Sequence, residues 1–382
     1  MPYCEVRKCK RKDEVVKLFY TTYGHGNRKV LFIIGLAGTH ESWGPQIRGL
    51  TNSDMSHQKD EEEDVRALAT LAMGQESIDK DEIDDNGESG IQVCAFDNRG
   101  MGRSSVPKKK SEYTTTIMAK DALAVMDSLG WQRAHIFGHS MGAMIACKLA
   151  SIAPNRVLSL ALLNATGGGY ECFPKIDRQT ISLAIRFLRA KTPEERAAVD
   201  LDTHYSKEYL DECIGSNTRR RILYQEYVKA ISSTGMQSNQ GFEGQVNACW
   251  THKMTSKDYD VIRSSGLLIS VIHGRYDVIA QINHARRIAQ KLYPSARMVE
   301  LHGGHLVSHE RPDEVNQALM ELIEASETKL DALEWSNLPK YGTGSPEHRI
   351  SPTLELSLLY VIGLLVMLFQ RSRRLLRSLG LH

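Results

Sequence analysis

The chain has 382 residues, 41% of them hydrophobic and 25% charged, with a formal net charge of +2. That length allows one large α/β domain with an insertion or two ordinary domains, and the near-neutral balance excludes a protein held to nucleic acid by its overall charge. The balance is a sum of opposites, an acidic stretch near residues 54 to 88 and a basic carboxyl terminus.

The opening "MPYCEVRKCKRKDEVV" is basic but has no apolar core, so no secretory signal is expected and the globular part should face the cytosol. Seven cysteines without dense spacing point to reduced thiols; Cys4 and Cys9 lack the second pair that zinc would need, and Cys147 reads as a small core residue. "EVVKLFYTTYG" is expected as an antiparallel edge strand. Next come short β-branched runs expected as strands buried on both faces: "KVLFIIG" from Lys29, "IQVCAFD" from Ile91, "RAHIFG" from Arg133, "RVLSLALLNA" from Arg156, "LLISVIHG" from Leu267 and "ARMVELHG" from Ala296. Helical patterns such as "TTTIMAKDALAVMDSLG" and "PDEVNQALMELIEAS" alternate with them. The expected fold class is therefore α/β, a mostly parallel central sheet flanked by helices.

Three segments break the alternation. Residues 51–90 are acid-rich and expected to be a disordered insertion, a surface for a protein partner being one reading. Residues 166–264 carry helical pieces without a buried strand and are expected to form an inserted helical cap. That leaves core segments at 1–50, 91–165 and 265–328, a linker at 329–352, and a tail at 353–382. The tail is apolar for 16 residues from Leu354 to Phe369 and then carries Arg371, Arg373, Arg374 and Arg377. It falls just short of the roughly 17–25 residues of a spanning helix, so the expectations are a membrane anchor or a helix lying in the interface.

The chemistry centres on "GHSMG", where Ser140 stands between Gly138 and Gly142 at the change from a strand pattern to a helical one. Glycines on both sides permit a sharp turn that lifts a serine hydroxyl out of a sheet. "LLISVIHGRYDVIA" puts Asp277 just after a later strand, and "MVELHGGHLVSHERPDEV" puts His305 just after the next. Asn164-Ala-Thr166 matches a glycosylation sequon and reads as chance.

With this Ser, Asp, His order, together with "IIGLAGTHESW", "FDNRGMGRSS" and "GGHLVSHERP", residues 15 to 325 resemble the α/β-hydrolase superfamily. Among its capped members they look most like the small ester and lactone hydrolases and the plant hormone-receptor hydrolases. The resemblance implies Ser140 as nucleophile, His305 as base, Asp277 as its orienting acid, and an oxyanion hole from the backbone N–H groups of Leu36 and Met141. Asp97, Arg99 and Arg103 are expected to brace a loop, and His139, His273, His302 and His309 to be structural. The expected activity is that of a serine hydrolase on a carboxylic ester, thioester or lactone, lipid-derived esters included, with no cofactor and no metal. An acyltransferase, or a slow-turnover receptor on the same fold, is the alternative; an epoxide hydrolase or dehalogenase would need a carboxylate in place of Ser140.

Overall fold

The structure is a computed structural model that describes residues 2–7, 15–52, 90–234 and 237–339. The expected acidic insertion, apart from its ends, and the expected anchor at 353–382 lie outside these residues. Among the described residues no helix is long and apolar enough to cross a membrane.

Strands β1 (Tyr3–Arg7), β2 (Val15–Tyr23), β3 (Arg28–Ile33), β4 (Ile91–Phe96), β5 (Ala134–His139), β6 (Val157–Leu163), β9 (Leu268–Gly274) and β10 (Ala296–Leu301) form one sheet, ordered β1-β2-β4-β3-β5-β6-β9-β10. The run from β4 to β10 is parallel, and β1 and β2 are antiparallel. Val15–Tyr23 is thus antiparallel as expected but second from the edge, because "YCEVR" pairs outside it with Cys4 opposite Leu18.

The apolar runs have no polar alternation because both faces of the sheet are covered. Leu31, Ile33 and Ile136 point to one core layer with α2 (Thr115–Ser128) and α3 (Met141–Ile152). Their neighbours Val30, Phe32 and Phe137 point to the other, with α1 (Gly44–Thr51) and the later helix α12 (Pro312–Glu327). Local signals start these helices: Thr114 accepts the Ile117 N–H at the head of α2, and Pro312 opens α12.

Between β6 and β9 lie α4 (Arg178–Arg189), α5 (Pro193–His204), α6 (Lys207–Asp211), a small ribbon of β7 (Cys213–Ile214) and β8 (Asn217–Thr218), α7 (Arg219–Thr234), α8 (Asn239–Thr251) and α9 (Ser256–Ser264). The segment expected as one cap divides. Leu201, Tyr205, Leu210 and Leu223 make a small core of their own, whereas Ala248 of α8 and Tyr259 and Ile262 of α9 belong to the main core. The expected linker also begins later than residue 329. After α10 (Ile282–Lys291), β10, α11 (Val307–Glu310) and α12, the helix α13 (Ala332–Trp335) buries Trp335, whose Nε1 donates to the Ile269 carbonyl at 2.9 Å.

Candidate active site

β5 ends at His139 and α3 begins at Met141, which leaves Ser140 alone on the turn at φ 55°, ψ −118°. A non-glycine residue there stores about 1–3 kcal/mol of strain, held by the strand behind it and the helix ahead. The flanking glycines are required by close approach: a Cβ on Gly138 would strike the Gly142 carbonyl, and one on Gly142 would strike the Ile33 carbonyl.

Asp277 follows β9. Its Oδ1 accepts the N–H groups of Ile279 and Ala280, each at 2.8 Å, and its Oδ2 accepts from Asn164 Nδ2 and from His305 Nδ1, each at 2.7 Å. Burial alone would raise its pKa, but the neighbouring His305 and His273 and the Ala280 amide outweigh burial and hold it well below the usual carboxylate range. An ionised Asp277 accepting from Nδ1–H leaves Nε2 as the ring nitrogen of His305 open to accept a proton.

His305 sits on the turn after β10, and its surroundings come from distant parts of the chain. His139 Nε2 donates to the His305 carbonyl at 2.8 Å, with the two rings 4.9 Å apart, so the residue beside Ser140 holds the histidine turn directly. From the inserted helices, the His204 carbonyl accepts the Leu306 N–H at 2.9 Å. Glu310 Oε1 gathers the N–H groups of Gly304 at 2.7 Å and Ser206 at 2.9 Å, and the Ser206 hydroxyl donates to Oε2 at 2.5 Å. The His204 ring lies 6.1 Å from that of His305. Burial first, then His305, push both His139 and His204 down to about 3, so neither places a cation beside His305 at neutral pH.

The loop carrying Leu36 packs on the serine: a Cβ on Gly35 would lie 3.0 Å from that of Ser140. Asn98 Nδ2 holds the Ile34 carbonyl at 2.8 Å, Gln245 of α8 accepts the Ala37 N–H at 2.9 Å, and Asp97 accepts both the backbone and the ring Nδ1–H of His40. Asp97 also accepts the Arg103 N–H, and Arg99 grips buried Asp121 through two bonds of 2.6 Å, so these residues brace the loop as expected. Among the described residues the N–H groups of Leu36 and Met141 find no acceptor, which leaves both amides free beside Ser140.

His273 donates to the Ala280 carbonyl, His309 reaches the Ser42 carbonyl, and His302 packs edge-on against Tyr276; none of the three reaches Ser140. Asn164, Gln245, Ser206 and Glu310 were not singled out for the site by sequence reasoning, Asn164 only as a sequon. Among the described residues no three His, Cys, Asp or Glu side chains converge as a metal would require.

Comparison with known proteins gives the family of this fold. Residues 72–312 match the family described as "alpha/beta hydrolase fold". RutD of Caulobacter vibrioides, a protein named for carbamate hydrolysis, is 24% identical over 302 residues, covering 79% of this chain and 92% of that protein. BpoC of Mycobacterium tuberculosis, named for non-heme bromoperoxidase activity, is 26% identical over 241 residues, 62% of this chain and 84% of its own. The enol-lactonase of Burkholderia xenovorans LB400 superposes with a TM-score of 0.58 at 21% identity, covering 81% of this chain and 97% of that one, a likeness of fold. A family match over most of the chain, laid on a sheet whose strand ends carry Ser140, Asp277 and His305, means that this chain belongs to the α/β-hydrolase fold family.

Proposed function

We propose that this protein is a serine hydrolase that cleaves a carboxylic ester, thioester or lactone through an acyl-enzyme. The observation that carries the reading is the chain from Asp277 to His305 to the elbow: the carboxylate fixes His305 Nδ1 at 2.7 Å, and His139, next to Ser140, holds the His305 carbonyl at 2.8 Å. The names of the relatives, carbamate hydrolase and enol-lactonase, support acyl chemistry.

In this mechanism Ser140 Oγ attacks the carbonyl carbon while His305 Nε2 takes its proton. The oxygen of the tetrahedral intermediate collects negative charge and meets the waiting N–H groups of Leu36 and Met141. Removing one such donor from a hydrolase costs about 3–4 kcal/mol of barrier. The intermediate collapses, His305 returns the proton to the departing alcohol or thiol, and water repeats the sequence to release the acid. Ionised Asp277 stabilises the imidazolium formed in both halves.

A fluorophosphonate probe tests the nucleophile. Wild-type protein should be labelled, Ser140→Ala should not, and His305→Ala should react at least roughly a hundredfold more slowly, because the hydroxyl loses its base. Equal labelling of wild type and Ser140→Ala would refute the reading. Multiple turnovers of soluble esters with release of free acid would separate hydrolysis from acyl transfer or slow-turnover reception.

A further inference from the structure

The face of α4 turned away from the core is not an ordinary surface. Thr180 and Leu183 are buried and Phe187 is half-buried, which accounts for one narrow stripe of the helix. At the same helical spacing, Ile181, Ile185 and Leu188 form an adjacent apolar stripe that faces solvent, 50%, 44% and 78% exposed. The leading segment continues this character: Ile176 is 45% exposed, and Phe173 packs edge-on against exposed Trp250 with ring centroids 5.4 Å apart. An array of large exposed apolar side chains marks an interaction site, whereas isolated ones do not.

Charge identifies the partner. Residues 173–191 carry five cationic side chains and one carboxylate, Asp177, which is already committed to the Thr180 N–H at the head of α4. Arg186 is paired with Asp202 at 2.7 Å. Lys175, Arg178, Arg189 and Lys191 have no carboxylate within ion-pair distance among the described residues, and the helical repeat sets Arg178 and Arg189 along one border of the apolar stripe. A second copy of the chain would bring the same cations against one another. A lipid surface with anionic headgroups satisfies both halves, taking the isoleucines and leucine into its acyl boundary and the arginines onto its phosphates. We propose that the outer face of α4, with Phe173, Ile176 and Trp250 beside it, docks onto an anionic lipid bilayer. This docking is independent of the chemistry at Ser140 and of any attachment through residues 353–382.

Trp250 is a built-in reporter. It is 52% exposed, the other three tryptophans (Trp43, Trp131 and Trp335) are buried, and residues 339–382 contain none. Full-length protein is mixed with phosphatidylcholine/phosphatidylserine vesicles whose acyl chains are brominated. Trp250 fluorescence should fall by roughly half, and half-maximal quenching should need about tenfold more lipid in Ile181→Ser/Ile185→Ser/Leu188→Ser and in Arg178→Glu/Arg189→Glu. Leu188→Ser alone, at the most exposed of these positions, guards against a variant that fails to fold and should weaken quenching in the same direction. Fluorophosphonate labelling of Ser140 should be unchanged in every variant, which separates failure here from failure of the hydrolase reading. Absence of vesicle binding, sedimentation with vesicles without quenching, or equal quenching by pure phosphatidylcholine would each overturn the assignment. So would a dimer that the serine variant dissolves, because the face would then belong to a second copy.

Discussion

Asn164 donates to the same Asp277 oxygen that accepts from His305, and it does so from the residue after β6, at φ 49° and with its side chain buried. A carboxylate that shares one oxygen between two donors is held in plane for both. Asn164→Ala removes one donor, and a lost buried hydrogen bond to a charged group is worth about 1.5–3 kcal/mol. Asn164→Ala should therefore lower kcat on a soluble ester about tenfold or more while KM changes little, because only the orientation of His305 in the transition state suffers. Steady-state kinetics on purified variants checks this, and an unchanged kcat would reduce Asn164 to a packing residue. The same contacts engage the Asn164 amide nitrogen inside the folded chain, where its side chain is buried.

At the scale of elements, the start of the insertion is tied to the core through Glu171. It accepts from Gly167 N–H at 2.8 Å and from Arg287 of α10 at 3.1 Å, with His284 of α10 at 3.2 Å. The glycines before it are needed for this path: Gly168 lies at φ 80°, and a Cβ there would meet the Cβ of His252 at 2.6 Å. Burial would raise the Glu171 pKa, but His284, Arg287 and the Gly167 amide outweigh it and bring it to about 2. A depressed carboxylate contributes stability that is present above its unfolded pKa and lost as pH falls from about 4.5 towards 2. Glu171→Gln should therefore lower Tm at pH 7, by an amount corresponding to about 1–3 kcal/mol, and narrow the gap between Tm at pH 7 and at pH 3. Thermal melts of both proteins across that range provide the check; parallel curves would show that the tie does not titrate.

For the whole molecule, the last described residues close one side of the sheet. Asn337 lies against the exposed edge of β10, taking the Met298 N–H at 2.9 Å and giving to its carbonyl at 2.7 Å, while Trp335 fills the core beneath. An open sheet edge invites association, so these residues complete the sheet. Truncation after residue 340 should leave Tm and turnover of a soluble short-chain ester nearly unchanged. Truncation after residue 334 should cost about 3–5 kcal/mol for the buried tryptophan and leave the edge prone to aggregation. If residues 353–382 attach the protein to membranes, the cut after 340 should also lower the pelleted share of tagged protein to what docking through α4 alone retains. Full-length protein that stays soluble after high-speed centrifugation would refute the attachment.

What the sequence determined by itself was everything written in neighbouring residues. The apolar runs, their alternation with helical patterns, the glycines around Ser140 and the order Ser, Asp, His are all local, and they sufficed for the α/β fold class and for Ser140, Asp277 and His305 as candidates, while Leu36 and Met141 came from the resemblance to the α/β-hydrolases. The outer strand β1, in which Cys4 and Val6 alternate with exposed Tyr3 and Glu5, was not read from the sequence, because the basic residues that follow obscure so short an alternation. Tertiary structure decided which distant groups meet. Asn164 and Asp277 are 113 positions apart, Ser206 and Glu310 are 104 apart, and Ala37 and Gln245 are 208 apart. It also decided that α8 and α9 join the main core whereas Leu201 and Tyr205 build a smaller one, because an amphipathic pattern states that a helix has a face to bury and not which surface will receive it. For the same reason the exposed stripe on α4 emerged only from the fold: in sequence, Ile181, Ile185 and Leu188 look like any core-facing helix, and only packing left them facing water.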